Sequence, residues 1–194
     1  MAPTRIAFSN PYPRKFFDRP TTDVAKDLVG AILARQDSQG GLLAARIVET
    51  EAYIAGDPAN HAWKGPTRRN WTMFTGPGHL YVYRIHQVHC ANATTIPAEA
   101  VLLRAAEPLT PGLGSMRGPG LLCRAFSLTK EEDGLDLTTD ARVRILPSSD
   151  EPLRIDTARR IGIRLGKDYP LRFAARGSKE VSRPIPARPG SSSS

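Results

Sequence analysis

The sequence predicts a single α+β domain with antiparallel strands. A length of 194 residues fits one domain, since domains usually contain roughly 100 to 200 residues. The chain is 40% hydrophobic and 24% charged, as in an ordinary folded globular protein. Short apolar runs alternate with turn-forming residues, and only a few brief stretches have helical periodicity. This pattern favours strands accompanied by short helices.

The first half of the chain predicts a helix followed by a hairpin. Residues 23–28 follow Thr21-Thr22, a pair suited to cap a helix, and Gly30 is suited to end it. Two apolar runs, 31–35 and 42–53, flank a glycine-containing turn segment. We therefore expect two antiparallel strands joined by a hairpin.

The chain after residue 53 predicts three more strands and two short helices. The runs that predict strands are 79–85, 88–94 and 100–106, and those that predict short helices are 66–74 and 122–126. The segment between the last strand and the last helix is rich in glycine and proline, so we expect turns there.

Composition predicts the limits of the folded domain and the cellular environment of the protein. We expect an N-terminal arm over 1–15, a folded domain over 16–182 and a flexible Pro- and Ser-rich tail over 183–194. No apolar run approaches the roughly 18 residues of a membrane span, and the first residues lack the apolar core of a secretory signal. Cys90 and Cys123 are too few for a disulfide framework or a four-thiolate zinc site. These features predict a soluble intracellular protein.

Basic residues dominate the charge. Lys and Arg total 27 against 19 Asp and Glu, for a net charge of +8 and a pI near 9.9. Residues 151–194 hold ten basic and four acidic side chains, a second basic cluster comprises Lys64, Arg68 and Arg69, and acidic residues gather in 131–140. The distribution favours an oriented approach to a polyanion such as nucleic acid, although basicity that serves only solubility is an alternative.

Two acids occupy an otherwise apolar strand. Glu49, Glu51 and Tyr53 share one face by the two-residue period of a strand. Arg104 lies inside another apolar strand and is a natural partner for one of these acids. A carboxylate kept ionised by an arginine can activate water, whereas an edge strand with a solvated acidic face is the alternative.

Aromatic residues concentrate near these acids in sequence. The group comprises Tyr53, His61, Trp63, Trp71, Phe74, Tyr81 and Tyr83. Flat rings beside basic side chains suit a nucleobase that has left its stack, and a plain aromatic core is the alternative.

A zinc site is not expected. His86, His89 and Cys90 lie close together, but on a strand His89 points away from the other two and no further ligand cluster completes the set. No phosphate-binding loop, dinucleotide fingerprint or serine-hydrolase elbow is present.

Taken in order, several segments resemble the alkyladenine (3-methyladenine) DNA glycosylase family over about 16–181. They are 46–53, His61, 67–74, 76–83, Asn92, 101–109, 118–120 and 170–178. The resemblance implies a curved antiparallel sheet and a base-excision repair enzyme that removes alkylated or deaminated purines, such as hypoxanthine, from duplex DNA. It further implies a monofunctional enzyme that leaves an intact abasic strand, needs no cofactor and no obligate protein partner, and acts as a monomer. Such an enzyme is cytoplasmic, and nucleoid-associated in a bacterium.

The resemblance also implies roles for individual residues. Glu51 is the general base and Arg104 helps to hold the attacking water, with Glu49 left in a supporting role. Tyr53, His61 and Tyr83 sandwich the flipped purine, and Asn92 excludes the exocyclic amine of guanine.

The chain departs from the family at the DNA wedge. His86 and Gln87 stand where the family usually has an aromatic residue, and the step from Tyr83 to Asn92 is one residue shorter than usual. The side chains expected to contact DNA are His86, Gln87, Lys64, Arg68, Arg69, Arg172 and Arg176. The alternatives to a glycosylase are a non-catalytic nucleic-acid-binding domain and a zinc hydrolase.

Overall fold

A computed structural model describes residues 10–36 and 39–185. The described strands are β1 (Ile32–Gln36), β2 (Leu42–Tyr53), β3 (Leu80–Ile85), β4 (Val88–Thr94), β5 (Ala100–Pro108), β6 (Met116–Arg117), β7 (Val143–Leu146), β8 (Ile155–Ala158) and β9 (Arg172–Ala175). The α-helices are α1 (Arg14–Phe17), α2 (Thr21–Asp27) and α3 (Pro119–Ala125), and short 3-10 helices span Trp71–Phe74 and Lys130–Glu132.

All of these strands pair antiparallel in one sheet, so the α+β prediction is confirmed. The order is β3-β4-β5-β2-β1-β7, with β6 on β5 and β8 on β9. The long strand β2 is central: one edge pairs with β5, and the other pairs first with β1 and then with β9. Because β2 meets three partners, its second half lies where the sheet is covered on both edges.

The predicted hairpin is confirmed, with β1 and β2 in direct antiparallel register. Its turn residues 37 and 38 lie outside the described residues. The N-cap prediction for α2 is wrong, because Pro20 is the N-cap and both threonines lie in the first turn. The Thr21 hydroxyl contacts Thr95 and Glu99 in the interior instead. Gly30, with φ of +102°, follows the helix as expected.

The later elements agree with the sequence within a few residues. The strands predicted over 79–85, 88–94 and 100–106 are β3, β4 and β5. The helix predicted over 66–74 is reduced to the single 3-10 turn Trp71–Phe74, and α3 begins at Pro119, three residues before the predicted start.

A large core between the sheet and helices α2 and α3 fixes the scaffold. Phe17, Leu28, Ile47, Leu103 and Phe126 are fully buried in it. A separate small cluster of Ala62, Met73, Tyr81 and Ala100 packs beneath the β2–β3 connection. This second cluster supports the candidate site described below.

The ends of the described chain are attached to this core. The backbone N–H of Tyr12, in the expected N-terminal arm, donates to the carbonyl of Ile145, and its ring stacks 3.7 Å from that of Phe16. Ile185, in the expected tail, packs against the main core. Residues 1–9 of the arm and 186–194 of the tail lie outside the described residues. Within the described ranges, no helix is long and apolar enough to cross a membrane.

Candidate active site

Two complementary bulges bring the acids of β2 and the arginine of β5 together. The β2–β5 register passes from Ile47 opposite Ala106 to Glu49 opposite Ala105, and then to Thr50 opposite Leu103. Val48 and Arg104 are therefore the extra residues of the two strands. Arg104 reaches both acids: Nε lies 3.1 Å from Glu49 Oε1, and Nη1 lies 3.3 Å from Glu51 Oε2.

Glu49 is fully buried and surrounded by donors. Besides Arg104, it accepts hydrogen bonds from Arg172 Nε at 2.7 Å, from the Ser182 hydroxyl at 2.8 Å and from the Ser182 backbone N–H. Two guanidinium groups and one residue of the C-terminal segment therefore converge on one carboxylate. With its lone pairs engaged in this way, Glu49 is suited to connect β2, β5 and β9.

Glu51 is equally buried but has weaker electrostatic support. Its Oε1 accepts the Ile161 N–H at 2.8 Å, and its Oε2 accepts the Tyr53 hydroxyl at 2.9 Å and the longer contact from Arg104. Burial raises the pKa of Glu51 above its usual range, and the positive charge of Arg104 opposes this rise only in part. A carboxylate with a raised pKa is suited to accept a proton from water.

An aromatic slot lies beside Glu51. Its walls include the side chains of Tyr53, His61, Met73, Tyr83 and Asn92. The ring of His61 lies 4.2 Å from that of Tyr83 at an interplanar angle of 70°. Three of the predicted rings and the predicted asparagine are thus brought together, with the Glu51 carboxylate bonded to one of the walls.

The rings of the slot remain neutral near pH 7. Burial raises the pKa of the Tyr53 and Tyr83 hydroxyls far above the usual tyrosine value. Desolvation and the nearby charge of Arg69 lower the pKa of His61, whose Nδ1 lies 3.1 Å from the Tyr81 hydroxyl. Neutral, electron-rich rings are suited to stack on a flat heterocycle, and most strongly on a cationic one.

Asn92 is buried on the wall of the slot. Its Nδ2 donates to the backbone carbonyls of Tyr81 at 3.0 Å and Cys90 at 3.4 Å. These two bonds fix the orientation of the amide, so Asn92 is a rigid element of the slot rather than an adaptable one.

A buried ion pair supports the rear of Tyr53. The guanidinium of Arg160 lies 4.7 Å from the Tyr53 ring centroid and forms an ion pair with Asp57, both side chains being fully buried. Arg160 also donates to the carbonyls of Ala52 and Gly166. Its Nε has no hydrogen-bond partner among the described residues. This pair is not predictable from the sequence, because Arg160 resembles every other member of the basic C-terminal segment.

The residues expected to act as the DNA wedge lie at the tip of the β3–β4 hairpin. His86 and Gln87 are the two exposed residues of the turn that joins the paired residues Ile85 and Val88, and His86 has a positive φ of +52°. Ile85 and Val88 are themselves 51% and 42% exposed. The tip therefore presents two apolar side chains beside its polar turn, a feature that strand periodicity alone does not reveal.

The predicted basic contacts divide into three groups. Lys64 and Arg69 line a groove that shares His61, Tyr81 and Tyr83 with the slot, and Arg68 is exposed next to them. Arg176 is exposed and forms an ion pair with Asp156 at 2.8 Å. The prediction that Arg172 contacts DNA is wrong. The residue is 4% exposed and its side chain donates to Glu49, so a phosphate has no access to it.

The three residues considered for zinc are dispersed. His86 is exposed at the hairpin turn, His89 is half-buried, and Cys90 is buried against Tyr83. Across residues 10–36 and 39–185, no group of three or more His, Cys, Asp or Glu side chains has an arrangement that could hold a metal ion.

The chain is similar to known proteins along most of its length. The model of the family described as methylpurine-DNA glycosylase matches residues 15–179. A relative from Agrobacterium fabrum is 46% identical over 191 residues, which cover 91% of this chain and 95% of the relative. A relative from Methanoculleus marisnigri is 40% identical, with 88% and 98% covered, and one from Anaeromyxobacter dehalogenans strain 2CP-1 is 46% identical, with 90% and 86% covered. All three relatives have the name "Putative 3-methyladenine DNA glycosylase".

Proposed function

The chain belongs to the methylpurine-DNA glycosylase family, and from this premise we propose that it flips alkylated purines out of duplex DNA and hydrolyses their N-glycosidic bond. The observation that carries the proposal is the position of Glu51, a buried carboxylate hydrogen-bonded to the wall of the aromatic slot. The substrates are purines of the 3-methyladenine and 7-methylguanine type. The site requires no cofactor for this chemistry.

In the proposed mechanism, Glu51 removes a proton from a water that attacks C1′ of the flipped nucleotide. The electrons of the breaking C1′–N bond pass to the purine, which leaves as a neutral base when it is cationic in DNA. Arg104 is bonded to Glu51 and is suited to orient the water. Alkylation makes the purine a good leaving group, so little acid catalysis is needed.

The product is proposed to be an intact strand with an abasic site. Strand cleavage by this kind of enzyme requires an amine that forms a Schiff base with the sugar. Among the described residues, the lining of the slot contains no lysine. The enzyme is therefore proposed to be monofunctional.

Selectivity is proposed to come from stacking and exclusion. Tyr53, His61 and Tyr83 stack on the flipped purine and favour a cationic lesion, and Asn92 crowds the exocyclic amine of guanine. A neutral lesion such as hypoxanthine receives less stabilisation from the rings and leaves less readily. We therefore propose that hypoxanthine is a slower substrate than 7-methylguanine.

The hairpin tip and the basic surface are proposed to bind the DNA. His86 and Gln87 fill the gap left by the flipped nucleotide, with Ile85 and Val88 against the neighbouring bases. The exposed basic side chains proposed to meet phosphates are Lys64, Arg68, Arg69 and Arg176. A single chain provides all of these groups, which supports action as a monomer.

A non-catalytic nucleic-acid-binding domain is the second candidate, since it would use the same charge and rings. It gives no reason to bury Glu51 with a raised pKa, because a buried carboxylate whose charge is only partly compensated costs stability. The buried acid beside the slot therefore favours the enzyme.

Single-turnover excision tests the proposal. Duplex DNA with one 7-methylguanine or hypoxanthine is incubated with excess enzyme, and abasic sites are revealed by alkaline cleavage. Wild type is expected to generate abasic sites, and Glu51→Gln to bind the DNA without generating them. The exposed variant Glu131→Gln is the matched control and is expected to behave like wild type. Absence of product from wild type on both lesions would favour the binding domain.

A further inference from the structure

The β3–β4 hairpin separates two grooves. The slot groove runs along β3 and is lined by Trp63, Lys64, Arg69 and Arg84. The helix groove runs along β4 and α3 and is lined by Gln87, Val88, Arg117, Gly120, Arg124 and Thr129. His89 borders both grooves. The slot groove continues into the aromatic slot, whereas the proposed chemistry makes no use of the helix groove.

The helix groove directly adjoins the hairpin. A Cβ atom on Gly120 would lie 2.2 Å from Val88 Cγ1, so the backbone of α3 meets the hairpin at a distance that only glycine allows. The first residue of β4 is therefore in direct contact with the wall formed by α3. If the hairpin tip inserts into a ligand, the helix groove lies next to that ligand.

The charge of the helix groove is positive and uncompensated. None of the described residues that line it is acidic. Arg124 is exposed on α3 and has no carboxylate partner in the described part of the chain, and Arg117 uses Nε for the Val181 carbonyl at 3.3 Å. Two other exposed arginines do have such partners, since Arg142 pairs with Asp140 and Arg176 with Asp156. The groove therefore leaves two guanidinium groups for an external anion.

We propose that the helix groove holds the backbone of the undamaged DNA strand, with Arg117 and Arg124 against its phosphates. The inference rests on the proposed function: the tip enters the duplex at the lesion, and the damaged strand follows the slot groove because its nucleotide enters the slot. The second backbone of the duplex must then pass on the other flank of the hairpin. There it meets a groove with positive charge and without carboxylates.

The test combines arginine variants with neutralised phosphates. Binding of wild type, Arg117→Gln, Arg124→Gln and the double variant is measured on lesion-containing duplex and on the same damaged strand alone. Each arginine is expected to contribute a duplex contact, so that its loss weakens duplex binding several-fold and lowers the slope of log K against log salt by about 0.9. Binding to the single strand is expected to stay unchanged. Lys15→Gln, at an exposed position of α1 and outside the lining of both grooves, is the matched control.

Methylphosphonate linkages then locate the contact. Neutral linkages opposite the lesion in the undamaged strand are expected to weaken binding of wild type but not of the double variant. Three results would overturn the assignment. Neutral linkages could weaken wild-type binding only when placed in the damaged strand, the arginine variants could lose equal affinity for single-stranded and duplex DNA, or neither variant could lose duplex affinity. Because these readouts are affinities, they remain distinct from the proposed function, which fails only if wild type excises no base from the same duplex.

Discussion

Glu49 and Glu51 lie two residues apart on β2 and are equally buried, yet they have different partners. Glu49 accepts hydrogen bonds from two arginines and twice from Ser182, whereas Glu51 shares one of those arginines at a longer distance. The same strand therefore provides one acid that stabilises the fold and one whose burial is only partly compensated. This division leads to opposite expectations for two isosteric variants.

Glu49→Gln is expected to destabilise the protein by roughly 3–5 kcal/mol, because it leaves the buried guanidinium groups of Arg104 and Arg172 without their shared carboxylate. Glu51→Gln is expected to maintain or raise the unfolding free energy at pH 7 while abolishing excision, because it removes a carboxylate whose charged form is disfavoured by burial. Urea unfolding at pH 7 measures the unfolding free energies of the two variants, and single-turnover excision measures the activity of Glu51→Gln. A larger loss of stability in Glu51→Gln than in Glu49→Gln would contradict the assignment.

The raised pKa of Glu51 predicts a pH limb in the reaction. The base works deprotonated, so single-turnover excision of 7-methylguanine is expected to fall as pH decreases through the Glu51 pKa, starting above the usual value of 4.5. A rate that stays flat down to about pH 4 would exclude Glu51 as the base.

The raised pKa of Glu51 also determines how the stability of the protein changes with pH. A carboxyl group whose pKa is higher in the folded state stabilises the fold while protonated, and this contribution is lost as pH rises through the range between the unfolded and folded values. The stability of Glu51→Gln relative to wild type is therefore expected to increase over that range. Parallel pH–stability curves for the two proteins would contradict the raised pKa.

How far the sequence predicts the site depends on the kind of contact. Glu51 and Arg104 stand out because a charged residue within an apolar strand requires a partner, and this inference does not depend on the fold. The bulges at Val48 and Arg104, which bring the acids and the arginine together, depend on packing that a two-residue period does not encode.

The basic C-terminal segment shows where sequence reasoning ends. Arg160, Arg172 and Arg176 lie close together in the chain, yet one supports Tyr53, one binds Glu49 and only the third is exposed. Their partners Asp57 and Glu49 are more than 100 positions away, so a charge count cannot separate buried from exposed guanidinium groups. The fold is more predictable, since its strands and hairpins are local patterns.

The contact of Gly120 with Val88 predicts that Gly120→Ala destabilises the protein, although a Gly→Ala substitution within a helix is usually stabilising. Alanine in a helix is usually more stable than glycine by about 1 kcal/mol, but Gly120→Ala is expected to cost roughly 1–3 kcal/mol because its methyl group would overlap Val88. In a Val88→Ala background the same substitution is expected to become neutral or stabilising. A double-mutant cycle by urea unfolding measures the coupling, and additive effects would show that α3 does not meet the hairpin so closely.

The polar hairpin tip predicts weak retention of flipped DNA, which an aromatic residue should strengthen. Gln87 is exposed, and its Oε1 accepts a hydrogen bond from Arg84 at the protein surface, so little stability depends on it. Base–aromatic stacking contributes about 1–3 kcal/mol, and Gln87→Tyr is therefore expected to slow the release of abasic duplex by at least about fivefold. Gln87→Ala is the matched control and should release it as fast as wild type or faster. Stopped-flow fluorescence of a 2-aminopurine beside the abasic site measures the rate, and equal rates for the tyrosine and alanine variants would place the wedge outside this turn.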